Sequence, residues 1–159
     1  MKKNSLAIIM VLVLCVLACA CGGSGSSGSS SVKASITDND GDTVSMSSAE
    51  LMDLYEENSA AYESKYKGAE ASITGTVESV STNMKSFGSA TKSVYEIDLK
   101  EGWTITVLEE FHEEVIDLSA GDKITVTSNL QICFAGKVEM MHIGQQFGWY
   151  DDTIIEMAS

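Results

Sequence analysis

Residues 95–107 read YEIDLKEGWTITV, and apolar side chains alternate with polar ones on both sides of a turn at Glu101. Successive side chains of a strand point to opposite faces, so alternation with a period of two is typical of a strand with one buried face. The stretch therefore predicts two consecutive strands, each with one apolar face.

The same alternation continues before and after this stretch and predicts five strands. The positions that share one strand face are Ile73, Gly75 and Val77; Tyr95, Ile97 and Leu99; Trp103, Ile105 and Val107; Ile124, Val126, Leu130, Ile132 and Phe134; and Val138 and Met140. Gly75 inside the first strand is typical of a bend or bulge. Residues 109–123 separate the third strand from the fourth and predict a short helical or loop crossing. Three strands, a crossing and two strands follow one another in the OB-fold, a five-stranded, partly open Greek-key barrel.

Two further elements are predicted ahead of the barrel. Residues 32–46 contain two alternating runs around an acidic turn from Asp38 to Asp42, which predicts a β-hairpin. The turn lacks the acidic first and last ligands of a calcium-binding EF-hand, so a solvated turn is expected. Residues 47–67 then predict one amphipathic helix, because apolar positions recur at steps of three and four.

The predicted helix has signals for both of its ends. Ser47, with Glu50 three residues later, forms a capping box, and Gly68 stands where a helix C-cap is expected. The stripe consists of Leu51, Leu54, Tyr55, Asn58, Ala61, Tyr62 and Tyr66. We expect its three tyrosines to pack on the domain. The fold class is therefore mainly β with one N-terminal helix.

The first 21 residues differ in composition from the rest of the chain. Lys2 and Lys3 precede an unbroken run of apolar residues and Cys from Leu6 to Cys21, which is typical of a secretory signal. The end of this run resembles the lipobox of bacterial lipoproteins, in which the Cys after the cleavage site is diacylated. Cys21 is the predicted lipidation site, because a Gly/Ser tract begins directly after it, and Cys19 is the alternative.

The chain divides into five predicted segments. These are a lipoprotein signal peptide at 1–20, the lipidated Cys with a Gly/Ser tether at 21–31, the hairpin at 32–46, the helix at 47–67, and the barrel with a C-terminal tail at 68–159. The tether has a root-mean-square reach of about 17–19 Å. The predicted location is the extracytoplasmic face of a bacterial membrane, which the protein contacts through its lipid.

The charge balance argues against a nucleic-acid partner. The 159 residues carry 23 Asp and Glu against ten basic residues, a net charge of −13, and all ten basic residues are Lys. Removal of residues 1–20 takes away two Lys and no acidic residue, which leaves −15. Binding a phosphate backbone needs a positive surface that is usually rich in Arg.

Several stretches together resemble a known family of small bacterial proteins. They are Tyr55 to Asn58 with Ala61, Lys65 to Gly68, ITGTV at 73–77 and LSAGDKITV at 118–126. The family includes many lipoproteins and carries a tRNA-anticodon-like (OB-fold) domain of uncharacterised function. The resemblance implies an OB-fold over roughly residues 47–143, and it implies no catalytic residue.

Two clusters are candidate functional sites. OB-folds bind ligands on the face of their second and third strands and through adjoining loops. The stretch Thr82 to Ser93, predicted as a loop between the first two strands, carries the candidate ligand contacts Lys85, Phe87 and Lys92. The acidic run at 109–114 carries weak metal candidates, which are Glu109, His112 and Glu113. Trp103, Trp149 and Tyr150 are expected in the core or at its rim, with a sugar platform as the alternative.

These features favour a non-catalytic binding or interaction module without a cofactor. Its partner would be a protein, a peptide or a glycan of the cell envelope. The alternative is a metal-dependent or hydrolytic envelope enzyme that acts through the His112 acidic cluster. A single-stranded nucleic-acid binder is disfavoured, because the predicted binding face is acidic and lacks Arg.

Overall fold

The computed structural model describes residues 32–134 and 137–159, with the backbone alone for residues 132–134. The predicted signal peptide, the tether and both candidate lipidation sites, Cys19 and Cys21, lie outside the described residues. Within the described part, no helix combines the length and the hydropathy that crossing a bilayer requires.

Ten strands, two α-helices and two short 3-10 helices make up the described part. In chain order they are β1 (Ala34–Thr37), β2 (Thr43–Met46), α1 (Ser48–Glu57), α2 (Ser59–Lys65), β3 (Glu70–Phe87), β4 (Ala90–Leu99), β5 (Trp103–Leu108), the 3-10 helices Glu109–Phe111 and Glu113–Asp117, β6 (Lys123–Phe134), β7 (Lys137–Met140), β8 (Ile143–Gln145), β9 (Trp149–Asp151) and β10 (Ile154–Met157).

Five of the strands close into a barrel. Going round it, β3 pairs with β4, β4 with β5, β5 with β7, β7 with β6, and β6 again with β3. The β5–β7 pair is parallel, and the other four pairs are antiparallel. The predicted mainly β, OB-fold-like barrel is confirmed, and the 3-10 helices form the predicted crossing between its third and fourth strands.

The barrel interior is filled by the side chains that the alternation predicted. Those that are almost fully buried include Ile73, Val77, Ile97, Leu99, Trp103, Ile105, Val107, Ile124, Val126, Leu130, Val138 and Met140. Burial of these side chains is the main favourable contribution to folding, at about 25 cal/mol per Å² of apolar surface.

Strand β3 belongs to both halves of the barrel and changes partner along its length. Its first half pairs with β6 and its second half with β4, and the register shifts between Val77 and Ser79. The sequence predicts this irregularity at Gly75, but in the structure it lies further along the strand, between Val77 and Ser79. Gly75 has another role, since a Cβ there would lie 2.7 Å from Leu99 Cδ1 and 2.9 Å from Glu101 Oε2.

The predicted hairpin is formed by β1 and β2, and β1 also pairs with the start of β3. The expectation of a solvated turn is wrong for Asp38, whose side chain is buried. Its Oδ1 accepts the N–H groups of Asp40 (3.1 Å) and Asp42 (2.9 Å), and its Oδ2 lies 3.2 Å from Lys65 Nζ. Burial raises the pKa of Asp38, but these donors outweigh it and hold the pKa below its ordinary value.

The single helix predicted for residues 47–67 is two helices in the structure. The Ser47–Glu50 capping box is present. At Asn58, however, the backbone N–H donates to Leu54 O while the side chain accepts from Ala61 N, so one residue ends α1 and begins α2. The stripe packs on the domain as expected, since Leu51, Tyr62 and Tyr66 are buried.

The C-terminal tail adds two elements to the barrel. Strand β10 pairs with β6 and extends the sheet, while β8 and β9 form their own two-stranded hairpin. The turn between β8 and β9 contains Gly148 at φ +143°.

Candidate functional site

The stretch from Thr82 to Ser93 forms no loop in the structure. Strands β3 and β4 continue through it as a ribbon that ends at Phe87 and Ala90, and Gly88 has φ +62° in the two-residue turn. The loop prediction is therefore wrong. The ribbon projects beyond the barrel and leaves polar side chains on both faces, so the alternation that marks a half-buried strand is missing.

Lys85 of this ribbon reaches over the outer surface of the barrel. Its Nζ contacts Glu139 Oε1 on β7 and lies 3.4 Å from Thr106 Oγ1 on β5. Thr106 donates to the same Glu139 oxygen at 2.7 Å. The charge of Lys85 is thus paired with a carboxylate on the outer surface of the barrel.

Phe87 and Lys92 meet around a third residue, Trp149 of β9. The Phe87 and Trp149 rings are 5.7 Å apart between centroids at 63°, and Lys92 Nζ lies 4.9 Å from the centre of the Trp149 ring. Lys92 Nζ also lies 2.8 Å from Glu110 Oε1. We refer to Phe87, Lys92 and Trp149 as the Trp149 cluster.

A depression of about 430 Å³ adjoins the Trp149 cluster. Its lining is Thr91, Lys92, Ser93, Glu109 and Glu110, a set that supplies hydroxyl, ammonium and carboxylate groups. Its size lies within the usual range of small-molecule sites.

The hairpin that carries Trp149 is aromatic, and its one acidic side chain, Asp151 at the end of β9, is buried. Residues 143–150 read IGQQFGWY and contain no ionisable acid or base other than Tyr150. The Phe147 side chain at its turn is 100% exposed, although the chain carries a net charge of −13. An exposed Phe next to a partly exposed Trp is an unusual arrangement in a strongly charged domain, because such groups are usually buried.

The three metal candidates do not converge on a site. Glu109 is engaged by Ser93 Oγ and lies 3.5 Å from the hydroxyl of Tyr95. His112 is buried, with Nδ1 2.7 Å from Glu114 Oε1 and Nε2 3.4 Å from Asp151 Oδ2. Across residues 32–131 and 137–159, no three His, Cys, Asp or Glu side chains are grouped so that they could hold a metal ion.

Asp151 contacts His112 in the structure but is not among the candidate residues that the sequence predicts. Its side chain is fully buried, Oδ2 accepts the Leu108 N–H at 2.7 Å, and Oδ1 accepts the Thr153 N–H at 3.0 Å. It lies 39 positions after His112, and a β-hairpin brings the two together, so no local pattern marks the pair.

The two side chains set each other's ionisation. Burial alone would lower the pKa of His112, but the carboxylates of Asp151 and Glu114 outweigh it, and the pKa lies above its ordinary value. Burial would raise the pKa of Asp151, but His112 and the Leu108 and Thr153 N–H groups hold it below its ordinary value. Because both imidazole nitrogens face carboxylates, protonation of the ring is favoured, and the ring links β9 to the crossing.

The outer face of β4 and β5, where OB-folds commonly bind their ligands, carries internally paired charges. Asp98 lies 2.8 Å from Lys137 Nζ and accepts from Thr104 Oγ1 at 2.6 Å. Burial raises the pKa of Asp98, but these two partners outweigh it and lower the pKa. Glu96 similarly accepts from Asn83. Both carboxylates of this face, Asp98 and Glu96, thus have partners within the chain.

The strand order and the parallel closing pair define an OB-fold-like barrel, and comparison with known families agrees. The family model described as tRNA_anti-like matches residues 1–140. The chain therefore belongs to the tRNA_anti-like family. The match ends before β8, so the hairpin that carries Trp149 lies outside it. Searches of the curated proteins and of the solved structures found no match.

Proposed function

We propose that the protein is a lipid-anchored bacterial lipoprotein of the extracytoplasmic membrane face and acts there as a non-catalytic binding module. The anchor is supported by the sequence alone: a charged start, an apolar run, Cys21 in a lipobox-like context, and a Gly/Ser tract behind it. A flexible tract of this kind holds a small domain near the membrane and lets it reorient.

The observation that carries the binding role is the exposed aromatic hairpin beside the Trp149 cluster. Phe147 is fully exposed, and Trp149 offers part of a large ring that is already fixed by Phe87 and Lys92. Aromatic groups of this kind provide large contact areas at small entropic cost and are enriched in binding surfaces.

The arrangement around His112 favours this role over the hydrolase alternative. A general base needs an imidazole nitrogen that can reach a substrate proton. Both ring nitrogens of His112 face carboxylates, and the ring is 5% exposed. The family description mentions tRNA. We nevertheless propose that the ligand is not a nucleic acid, because Lys85 and Lys92 are already paired with Glu139 and Glu110.

Metabolic labelling tests the anchor. Cells given an alkyne-palmitate should label the wild-type protein, Cys19→Ala should retain the label, and Cys21→Ala should lose it. Label retained by Cys21→Ala and lost by Cys19→Ala would move the lipidation site, and an unlabelled wild type would refute the anchor.

Affinity capture tests the binding role. Tagged wild-type protein and the Phe147→Ala variant are incubated with isolated cell-envelope material, and bound and released fractions are analysed by mass spectrometry. We expect an envelope component to be retained by the wild type and depleted with Phe147→Ala. Fragments released by the wild type but not by His112→Gln would instead establish the enzyme alternative.

A further inference from the structure

We propose that the Trp149 cluster and the adjoining depression bind a neutral oligosaccharide. The inference rests on the proposed binding role and names the chemical class of its ligand. A pyranose ring has a flat face of C–H groups and a rim of hydroxyls, so its site needs an aromatic plane next to hydrogen-bonding side chains.

The Trp149 ring provides the aromatic plane. It is held from one side by the edge-on ring of Phe87 and carries Lys92 Nζ at 4.9 Å from its centre. Phe147, two residues earlier in the same hairpin, is fully exposed and adds a second apolar surface. A fixed ring loses little conformational freedom when a ligand stacks on it.

The depression and the hairpin provide the hydrogen-bonding groups. Thr91 and Ser93 carry hydroxyls, and Glu110 is a half-exposed acceptor. Gln145 is exposed and stands opposite Trp149 in the β8–β9 register, where its amide can both donate and accept. This mixture matches a ligand that presents many hydroxyls.

The charges of the surface select against ionic ligands. The ammonium group of Lys92 is paired with Glu110, and residues 143–150 carry no Lys, Arg, Asp or Glu. An anionic ligand would meet the field of a chain with net charge −13, and a cationic one would find both carboxylates of the depression already engaged, Glu110 by Lys92 and Glu109 by Ser93. A neutral ligand meets neither penalty.

Tryptophan fluorescence provides a direct readout. The chain has two Trp, and Trp103 is fully buried in the barrel, so a ligand on the surface acts on Trp149. The full chain is kept in phosphatidylcholine nanodiscs and titrated with two neutral sugars, cellotetraose and tetra-N-acetylchitotetraose. We expect a saturable shift in emission with at least one of them, and no shift with a single-stranded oligodeoxythymidine.

Calorimetry with variants assigns the effect to this surface. Phe147→Ala, which cannot disturb packing because the side chain is fully exposed, should weaken binding about tenfold, and Trp149→Ala should abolish it. Met157→Ala removes a 64% exposed apolar side chain from β10 and should leave binding unchanged.

Three results would overturn the proposal: no binding of either sugar, equal binding by wild type and Phe147→Ala, or quenching of Trp149 by brominated phosphatidylcholine, which would place the surface on the bilayer. If neither sugar binds but envelope capture still depends on Phe147, the oligosaccharide proposal is refuted and the proposed binding role is retained. Failure of both experiments would refute the binding role.

Discussion

At the scale of single residues, His112 and Asp151 show how two groups far apart in sequence stabilise one junction. The pair joins the crossing to β9, and the Leu108 N–H adds a third contact. Breaking a buried ion pair by removing one partner is costly because the other charge stays behind.

Stability should therefore depend on pH through this pair. The raised pKa of His112 means that its contribution is complete below about pH 6.5, the unfolded value, and is lost as pH rises through the folded pKa. The lowered pKa of Asp151 means that its contribution is present above about pH 3.9 and is lost as pH falls through the folded pKa. We expect the pair's contribution to be largest between about pH 4 and 6.5.

Replacement of the carboxylate tests this expectation. Asp151→Asn should lower the free energy of unfolding by roughly 3 kcal/mol at pH 5.5, as measured by urea titration, and the loss should shrink as the pH is raised past 7. Asp152→Asn is the matched control, because that side chain is 66% exposed and its Oδ2 lies as far as 3.9 Å from His142 Nδ1. A loss with Asp151→Asn that is the same at pH 5.5 and 8.5 would contradict the ionic role of the pair.

Gly75 is a second residue whose identity is set by a neighbour. A Cβ at this position would lie 2.7 Å from Leu99 Cδ1 and 2.9 Å from Glu101 Oε2, so Gly75→Ala should destabilise the barrel by about 1–3 kcal/mol through overpacking. Thermal unfolding measures the change. Ser81→Ala, on the exposed part of the same strand, should stay within about 0.5 kcal/mol, and equal effects of the two substitutions would refute the packing argument.

At the scale of elements, the capping of α2 by Asn58 can be tested directly. Asn58→Ala removes the acceptor for the Ala61 N–H and should cost about 1 kcal/mol. Asn58→Asp retains the acceptor and should restore most of the stability in denaturant titration. A variant Asn58→Ala as stable as the wild type would show that the two helices do not need this cap.

The elements that sequence predicted correctly are those with one buried face. The five barrel strands carry apolar residues at alternate positions, interrupted in β6 by the buried Ser128, and these apolar residues fill the barrel interior. The β3–β4 ribbon beyond Ser81 has no buried face, so its pattern resembled a loop. Asn58 fell on the helical stripe by spacing, but its side chain binds the backbone, a competition that periodicity cannot represent.

The candidate site was foreseen in part. The sequence predicts Phe87 and Lys92 as ligand contacts of one loop, and the structure brings both to Trp149. Trp149 itself lies in a tail without a strong strand pattern, and it reaches the ribbon through tertiary packing alone. The acidic run at 109–114 offers only weak metal candidates in sequence, and in the structure His112 contacts Glu114 and Asp151 while Glu109 contacts Ser93.

At the scale of the whole molecule, the charge of −13 should make stability sensitive to salt. At pH 7.5 the acidic residues repel one another, and salt screens this repulsion over a length of about 10 Å at 0.1 M. The melting temperature should rise between 0.05 and 0.5 M NaCl. Near pH 4.3, the isoelectric point, the rise should be absent. The same increase at both pH values would indicate a cause other than net charge.

The parallel β5–β7 pair has a consequence for the order of folding. Its paired residues, such as Trp103 and Val138, are 35 positions apart, so the barrel cannot close until β7 has been synthesised. Pairings over such distances in sequence form slowly, because the loop must close before the contacts stabilise it. Until β7 emerges, a nascent chain therefore carries β5 with one edge unpaired, and such an edge is open to pairing with another chain.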